Sequence, residues 1–592
     1  MGLVAAGLAY DRVVDMPLGG TTTATEQVVV SPSMGEPPRL DGAWYCPIGS
    51  TESGGFADHV VNISNLSDEP AVANVSIVTG DGPGPGRRIE LPPKSTERVK
   101  LSETQVVELA GAVVEITGGR GAVGHSVTTA QGVAEGPCAT NASSTWYFAA
   151  GRTTRDSKQY LALMNPFPET AVFDVEFQAV GRSREPGPLQ GAFVEARSVR
   201  IIDVGEYVAR EEALATKITT NRGRLVVERL QLLDGVLGPS DAALQLGVPS
   251  PARSWIFTAG RVHESGDDLL TIFNPYEVST APSQAAEPAE DGSSDDHADD
   301  GLDGESDDPT GEEGQAEPEA DPDREGFLTV SVELWPSNPT DLSSYSVVTI
   351  EREVRPGTFV TIDLRAQAER FEFPLPYELG VNVTSNEGLP IVAERWQFAE
   401  ELLVDGPAGA VEAEEPASVD TPAEGDEPPA DGETPAEGEP PAEGEEVAEG
   451  EEGAEGEEGA EPEPIELQPA EPGDSGLPQP IANTGVSTTR GNELFSTRWV
   501  VPWVTMSGDS TLIAVASIEE AAVEIRLLSG GEFVGPIRAT VPAGGRAIVP
   551  VTDGDGGAAV EITSNTPISV EAVVVLPDQS LDVVPAVPTV AG

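Results

Sequence analysis

Glu228 and Glu394 occupy the same place in two near-copies of one sequence line, on the apolar phase of Val226 and Leu230 and of Val392 and Trp396. A carboxylate that shares a face with apolar neighbours needs a partner once buried, because an unpaired charge is strongly disfavoured away from water. Arg152 and Arg261, each six residues after an opening tryptophan, are the available cations. Arg152 with Glu228 and Arg261 with Glu394 therefore read as structural ion pairs, one inside each copy. A catalytic reading would need a pocket and a nucleophile beside each pair. The first copy has Ser50 and His125 at the corresponding places, and the last keeps Glu571 but has Thr505.

Other strings invite chemistry and then fail its requirements. GRGAVG at 119–124 fits the spacing of a dinucleotide loop, but HSVTTAQG follows, rich in β-branched residues where a helix must hold the pyrophosphate. A strand-joining turn is expected instead. GDSG at 473–476 places Ser475 in an acidic tract without a positioned base. DDHADDGLDGESDD at 295–308 is as acidic as a calcium loop, yet Ala298 stands where the third position needs an oxygen ligand. His59, His125, His263 and His297 are dispersed, so no zinc or triad set is visible. The expectation is a chain without catalytic residues, cofactor or metal.

The elements that must position these residues come in repeats. TWYFAAGRTTRDSKQYLALMNPF (145–167) is rewritten as SWIFTAGRVHESGDDLLTIFNPY (254–276), with diverged openings from Ala43 and Arg498. Matching closing segments are GRLVVERLQL (223–232), LPIVAERWQF (389–398), TPISVEAVVV (566–575) and, weakest, GAVGHSVTTA (121–130). Between opening and closing the apolar period is two: Phe173, Val175 and Phe177 point one way while Asp174, Glu176 and Gln178 point the other. Short strands punctuated by Gly, Pro, Asn and Asp predict an all-β chain of four tandem immunoglobulin-like β-sandwich repeats, separated by disordered acidic segments.

The expected boundaries are an N-terminal segment at 1–38, repeats at 39–139, 143–248, 252–403 and 494–592, and an acidic tether at 404–493. A second acidic stretch, 279–326, interrupts the third repeat where the second has only a tight turn, and reads as a disordered insertion between two strands. Loop-closure entropy grows only with the logarithm of length, so such an insertion costs little. Cys46 and Cys138 bracket the first repeat at a spacing that suits no metal motif, so a disulfide is expected, with two buried thiols as the alternative. Residues 2–10 are apolar but too short to cross a bilayer. They read either as a frayed terminus or as the outer end of a membrane anchor whose beginning lies upstream. The net charge of −68 disfavours nucleic acid and anionic membrane surfaces as partners.

The chain resembles an actinobacterial family of secreted or membrane-anchored proteins of unknown function. More loosely, it is similar to bacterial surface repeats that open WYFAEG, continue YLLLxNP and close PIVAER. The residues that carry the resemblance are Trp146, Tyr147, Phe148, Gly151, Tyr160, Leu161, Leu163, Asn165 and Pro166, then Trp255, Phe257, Gly260, Asn274, Pro275 and PIVAER at 390–395. The match covers the second and third units and fades in the others, where Asn-Pro becomes Asn65-Leu66 or Ser517-Ile518. It implies an extracytoplasmic location with an N-terminal anchor, and supplies no catalytic residues. The expected function is a non-enzymatic cell-envelope scaffold or adhesion-type stalk. The alternative is a binding module whose inter-strand loops recognise an envelope glycan or protein.

Overall fold

The computed structural model describes residues 42–52, 54–234, 240–262, 266–276, 326–337, 346–373, 377–399, 485–492, 495–506, 511–551, 556–575 and 581–589. The expectations placed on the N-terminal segment, on most of the two acidic tracts, on Ser475, and on His263 and His297 lie outside these residues. Among the described residues, no helix is long and apolar enough to cross a membrane.

The first unit sets the plan. Its strands are β1 (Ala43–Cys46), β2 (Asp58–Asn65), β3 (Ala71–Thr79), β4 (Gly82–Leu91), β5 (Ser95–Lys100), β6 (Ala110–Thr117), β7 (Gly121–Thr128) and β8 (Val133–Pro137). They form two antiparallel sheets, ordered β1-β6-β3-β4 and β5-β2-β7-β8. The second and third units repeat both orders, so the sandwich repeats have immunoglobulin-like size and layering with a strand order of their own. The fourth unit joins its two sheets through one long strand, Gly556–Val575, which does the work of both β6 and β7. GRGAVG runs from a turn with Gly118 at positive φ straight into β7, as a strand-joining turn should.

The two sheets of a unit differ in what covers them. In β3 the side chains of Ala71, Ala73, Val75 and Ile77 are buried while Val72, Asn74 and Ser76 are half-exposed, the alternation of a sheet with one wet face. In β2 every residue after Asp58 is buried, and the counterpart of β7 in the second unit, Val226–Asp234, is buried from Val226 through Leu233. Such strands have apolar cover on both sides. One side is their own core and the other is a neighbouring unit.

Side-chain hydrogen bonds explain the repeated motif residues. The indole Nε1 of Trp146 donates to the Leu225 carbonyl at 2.9 Å, Trp255 to Ile391 at 2.8 Å, and Trp499 to Ile568 at 2.9 Å. Each opening tryptophan is thereby pinned to the start of its own closing strand. Asn165 donates to the Glu169, Val194 and Glu195 carbonyls and accepts the Phe167 N–H at 3.1 Å, tying the turn after its strand to a later one. Asn65 and Asn274 make the same knot. Asn274 holds the Gly326 carbonyl at 2.9 Å, so the chain leaves for the 277–325 segment and returns across one tight turn, as the expected insertion between two strands requires.

Cys46 and Cys138 form a disulfide inside the core of the first unit. The same slots in the second and third units hold Phe148 with Gly247 and Phe257 with Gly491. A Cβ on Gly247 would lie 2.9 Å from the Phe148 ring. The bond thus fills a position that a ring and a glycine fill elsewhere.

The boundary between the third and fourth units differs from the expected tether. Gly485–Thr489 is the eighth strand of the third unit: it pairs antiparallel with Val392–Ala399, with Ala399 opposite Gly485. The chain after Ala399 therefore returns to the strand it left. The segment is a second insertion within the third unit, not a spacer before the fourth. GVSTT has no apolar alternation, which hid this strand among polar residues.

The four units pack together. β8 packs against Ser240–Leu246, that strand against Gly485–Thr489, the latter against Leu581–Pro585, and the last against β8 again. The four eighth strands thus close a ring around one axis.

Candidate functional site at the joints between units

The expected ion pairs are not the ones that form. Glu228 accepts from the His125 ring Nε2 at 2.9 Å and from the Ile48 N–H at 3.3 Å, both in the first unit. Arg152 instead donates from Nε to Thr154 Oγ1 at 3.2 Å, with its guanidinium 5.6 Å from the Phe398 ring centroid. Glu394 accepts from the Ala150 N–H at 2.9 Å and from Arg229 Nη1 at 3.0 Å, both in the second unit. The Arg261 backbone lies opposite Glu378, and its side chain is outside the described residues.

A single rule covers these contacts. Glu228, Glu394 and Glu571 each reach out of their own unit to the turn that follows the opening strand of the preceding one. Glu571 Oε2 accepts from the N–H groups of Thr258 and Ala259 at 2.6 and 2.7 Å, and its Oε1 accepts from Thr489 Oγ1 at 2.7 Å. Ile48, Ala150 and Ala259 all stand four residues after their opening tryptophans, so the same peptide is held at three joints. A backbone N–H left unpaired at a buried joint costs about 1–3 kcal/mol, and the carboxylate removes that cost while gaining charge-assisted bonds.

The arginines that follow Glu228 and Glu394 complete the clamp. Arg229 Nη1 donates to the Ala150 carbonyl and Nη2 to Gln245 Oε1 at 2.9 Å. Arg395 donates to the Ala259 carbonyl at 2.8 Å and is held by Asp268 through both Nε and Nη2. Each peptide is therefore gripped at its carbonyl by its own unit's arginine and at its N–H by the next unit's glutamate. Burial works against the Arg395 charge, but the Asp268 carboxylate outweighs it and raises the guanidinium pKa further. Burial also raises the Glu571 pKa, against the lowering pull of the Ala259 N–H and the Thr489 and Thr258 bonds.

Register identifies the counterparts in the first unit. Glu228 lies opposite Ala162 and Arg229 opposite Leu161, while Gly124 lies opposite Asn62 and His125 opposite Val61. His125 thus corresponds to Arg229 rather than to Glu228, one residue away from the sequence alignment. Gly124 holds the glutamate position at the joint between the fourth and first units. A Cβ on Gly124 would lie 3.3 Å from Trp503 Cβ. That joint is closed by an apolar cluster of Leu66, Ala122, Val500, Leu528 and Ala559 and by an ion pair of Arg120 with Glu561 at 2.8 Å.

Around the axis lies a narrow cavity, lined from all four units by residues that include Gly136, Gln245, Thr488 and Pro585. A larger surface cleft opens on the second unit beside Arg184 and Tyr207, where Arg182 pairs with Glu211. Among the described residues, no group of three or more His, Cys, Asp or Glu side chains is arranged to hold a metal.

Sequence reasoning found Glu228 and Glu394 and missed Arg229 and Arg395, which follow them directly. The available signal was the pair Glu-Arg inside a run that, apart from Gln231 or Gln397, is apolar on both phases. Adjacent strand residues face opposite ways, so such a run implies that both faces are covered.

No family model matches the chain, and no curated protein matches it. Solved structures with local likeness include Thermotoga maritima 1070, at 16% identity over 19% of this chain and 99% of that one, with a TM-score of 0.16. The Anabaena sensory rhodopsin transducer is 28% identical over 13% of this chain and 93% of its own, with a TM-score of 0.12. Streptomyces avermitilis α-L-rhamnosidase complexed with L-rhamnose is 8% identical over 62% of this chain and 45% of its own, with a TM-score of 0.11. At these scores the likenesses assign no function.

Proposed function

We propose that the protein is a non-enzymatic scaffold of the cell envelope that works outside the cytoplasmic membrane. The observation that carries this reading is the repeated clamp: the buried carboxyl groups of Glu228, Glu394 and Glu571 bind successive units into one body. The Cys46–Cys138 disulfide is consistent with an oxidising, extracytoplasmic setting. Interlocked units favour a scaffold over an extended stalk, because a stalk needs units that meet only end to end. Both acidic stretches interrupt the third unit in sequence.

Fractionation of producing cells tests this. An external protease should cleave the protein on intact cells, and the non-reduced protein should carry no alkylatable thiol. Recovery in the cytosol with two free thiols would overturn the proposal.

The surface cleft beside Arg184 and Tyr207 supports the second reading, a binding module for an envelope glycan or protein. In that case the full chain should be retained on isolated cell wall, and Tyr207→Ala should release it.

A further inference from the structure

The joint between the first and second units is built differently from the two that follow it. Arginine stands beside the clamped peptide at Ala150 and Ala259, and histidine takes its place at Ile48. His125 is fully buried and belongs to a chain of hydrogen bonds. His59 Nδ1 meets the Ala110 carbonyl at 2.7 Å, His59 Nε2 meets His125 Nδ1 at 3.0 Å, and His125 Nε2 meets Glu228 Oε1 at 2.9 Å.

The contacts fix where the protons are. A carbonyl only accepts, so His59 must carry its proton on Nδ1 and leave Nε2 bare. His125 must then donate from Nδ1 to His59. The contact between His125 Nε2 and Glu228 has room for one proton, shared between imidazole and carboxyl. A further proton has no place to bind: on His59 Nε2 it would face the His125 Nδ1–H, and on Glu228 Oε2 it would face the Ile48 N–H.

We propose that the His59–His125–Glu228 chain is a proton-operated latch, closed while it holds one shared proton and released when acid adds another. Arginine at the other joints keeps its charge across the same range, so those joints stay shut. Charge around the latch has few sources. On β2 the neighbours are His59 and the exposed Asp58. On β8, Glu135 is in register with Ser126 and therefore on the face opposite His125. From the second unit come Glu228 and Arg229, and Arg490 of the third unit lines the axial cavity with Glu228. Burial, and then His125, push the His59 pKa down to about 3 from its ordinary 6.5. The closed latch therefore binds fewer protons than the open one, and closing weakens as pH falls from about 6.5 toward 3.

The test uses the full chain, whose four histidines permit selective nitrogen labelling. In the labelled protein the His59 ring should be the neutral Nδ1–H tautomer at pH 7 and remain so at pH 5. Hydrogen exchange, corrected for its intrinsic pH dependence, should show protection at Ile48 falling about tenfold per unit below pH 6.5, as uptake of one proton requires. Ala150, clamped by arginine, should keep its protection. His59→Gln, which copies Gln159 at the same position of the second unit, should remove the acid response at Ile48. An Nε2–H tautomer at His59, equal pH responses at Ile48 and Ala150, or an unchanged response in the variant would each overturn the latch. The first two readouts need no variant.

Discussion

Ala150 and Glu394 stand in different units, and the Ala150 N–H donates to the Glu394 carboxylate at 2.9 Å while Arg229 holds the Ala150 carbonyl. One peptide is thus the meeting point of two sandwiches.

Removing one member of that clamp should be costly. Glu394→Ala is expected to destabilise the protein by about 3–5 kcal/mol, because it leaves Arg229 buried without its partner. Glu394→Ala combined with Arg229→Met should cost less than the sum of the single changes. Glu228→Ala combined with Arg152→Ala should be additive within about 0.5 kcal/mol, since those side chains do not meet. Denaturant titration of the cycles measures both, and additivity in the first would show that Arg229 and Glu394 are not coupled.

Glu571 should respond to pH in the direction opposite to a salt-bridged acid. Its folded pKa is raised, so its contribution favours folding at low pH and declines as pH rises above the ordinary carboxylate value of 4.5. Glu571→Gln keeps an oxygen for Thr258 and Ala259 and carries no buried charge. At pH 7 it should be as stable as the parent or more so, and flatter with pH. Glu571→Ala leaves those N–H groups unpaired and should lose about 2–4 kcal/mol. A Gln variant as damaged as the Ala variant would contradict this.

The fourth unit should not behave as an isolated domain. A fragment of residues 494–592 exposes Leu512, Ile548, Val573 and Val583, which are buried in a cluster with Ala259 of the third unit. Light scattering should find it self-associated, because an uncovered apolar sheet face seeks a replacement partner. A monomeric fragment with a dispersed amide spectrum would show that the fold does not depend on its neighbour.

Replacing residues 400–484 by a four-residue hairpin should leave the body intact, since Ala399 and Gly485 are register partners. Shortening the closed loop is expected to stabilise folding by about 2–3 kcal/mol, at about 0.6 kcal/mol per halving. Thermal melting checks this. Loss of the fold would mean that the excised segment contributes contacts of its own.

Sequence alone determined the strands and the repeat. Alternation at Phe173, Val175 and Phe177, the glycines at turns, and the tryptophan and asparagine of each copy are local signals, and each has a local hydrogen-bond or packing reason. The insertion after Asn274 was legible because it interrupts a known line, and Cys46 with Cys138 because no metal spacing fits them. The tertiary structure decided which face of each closing strand meets another unit. Apolar phase records only that Glu228 is buried, and burial by a neighbour looks the same as burial in its own core. Its partner therefore lies 103 residues back at His125, in a different sandwich, and not at Arg152 in its own. The eighth strand of the third unit was decided in the same way. Gly485–Thr489 is a strand because Val392–Ala399 offers it an open edge, and backbone pairing leaves no mark on side-chain type.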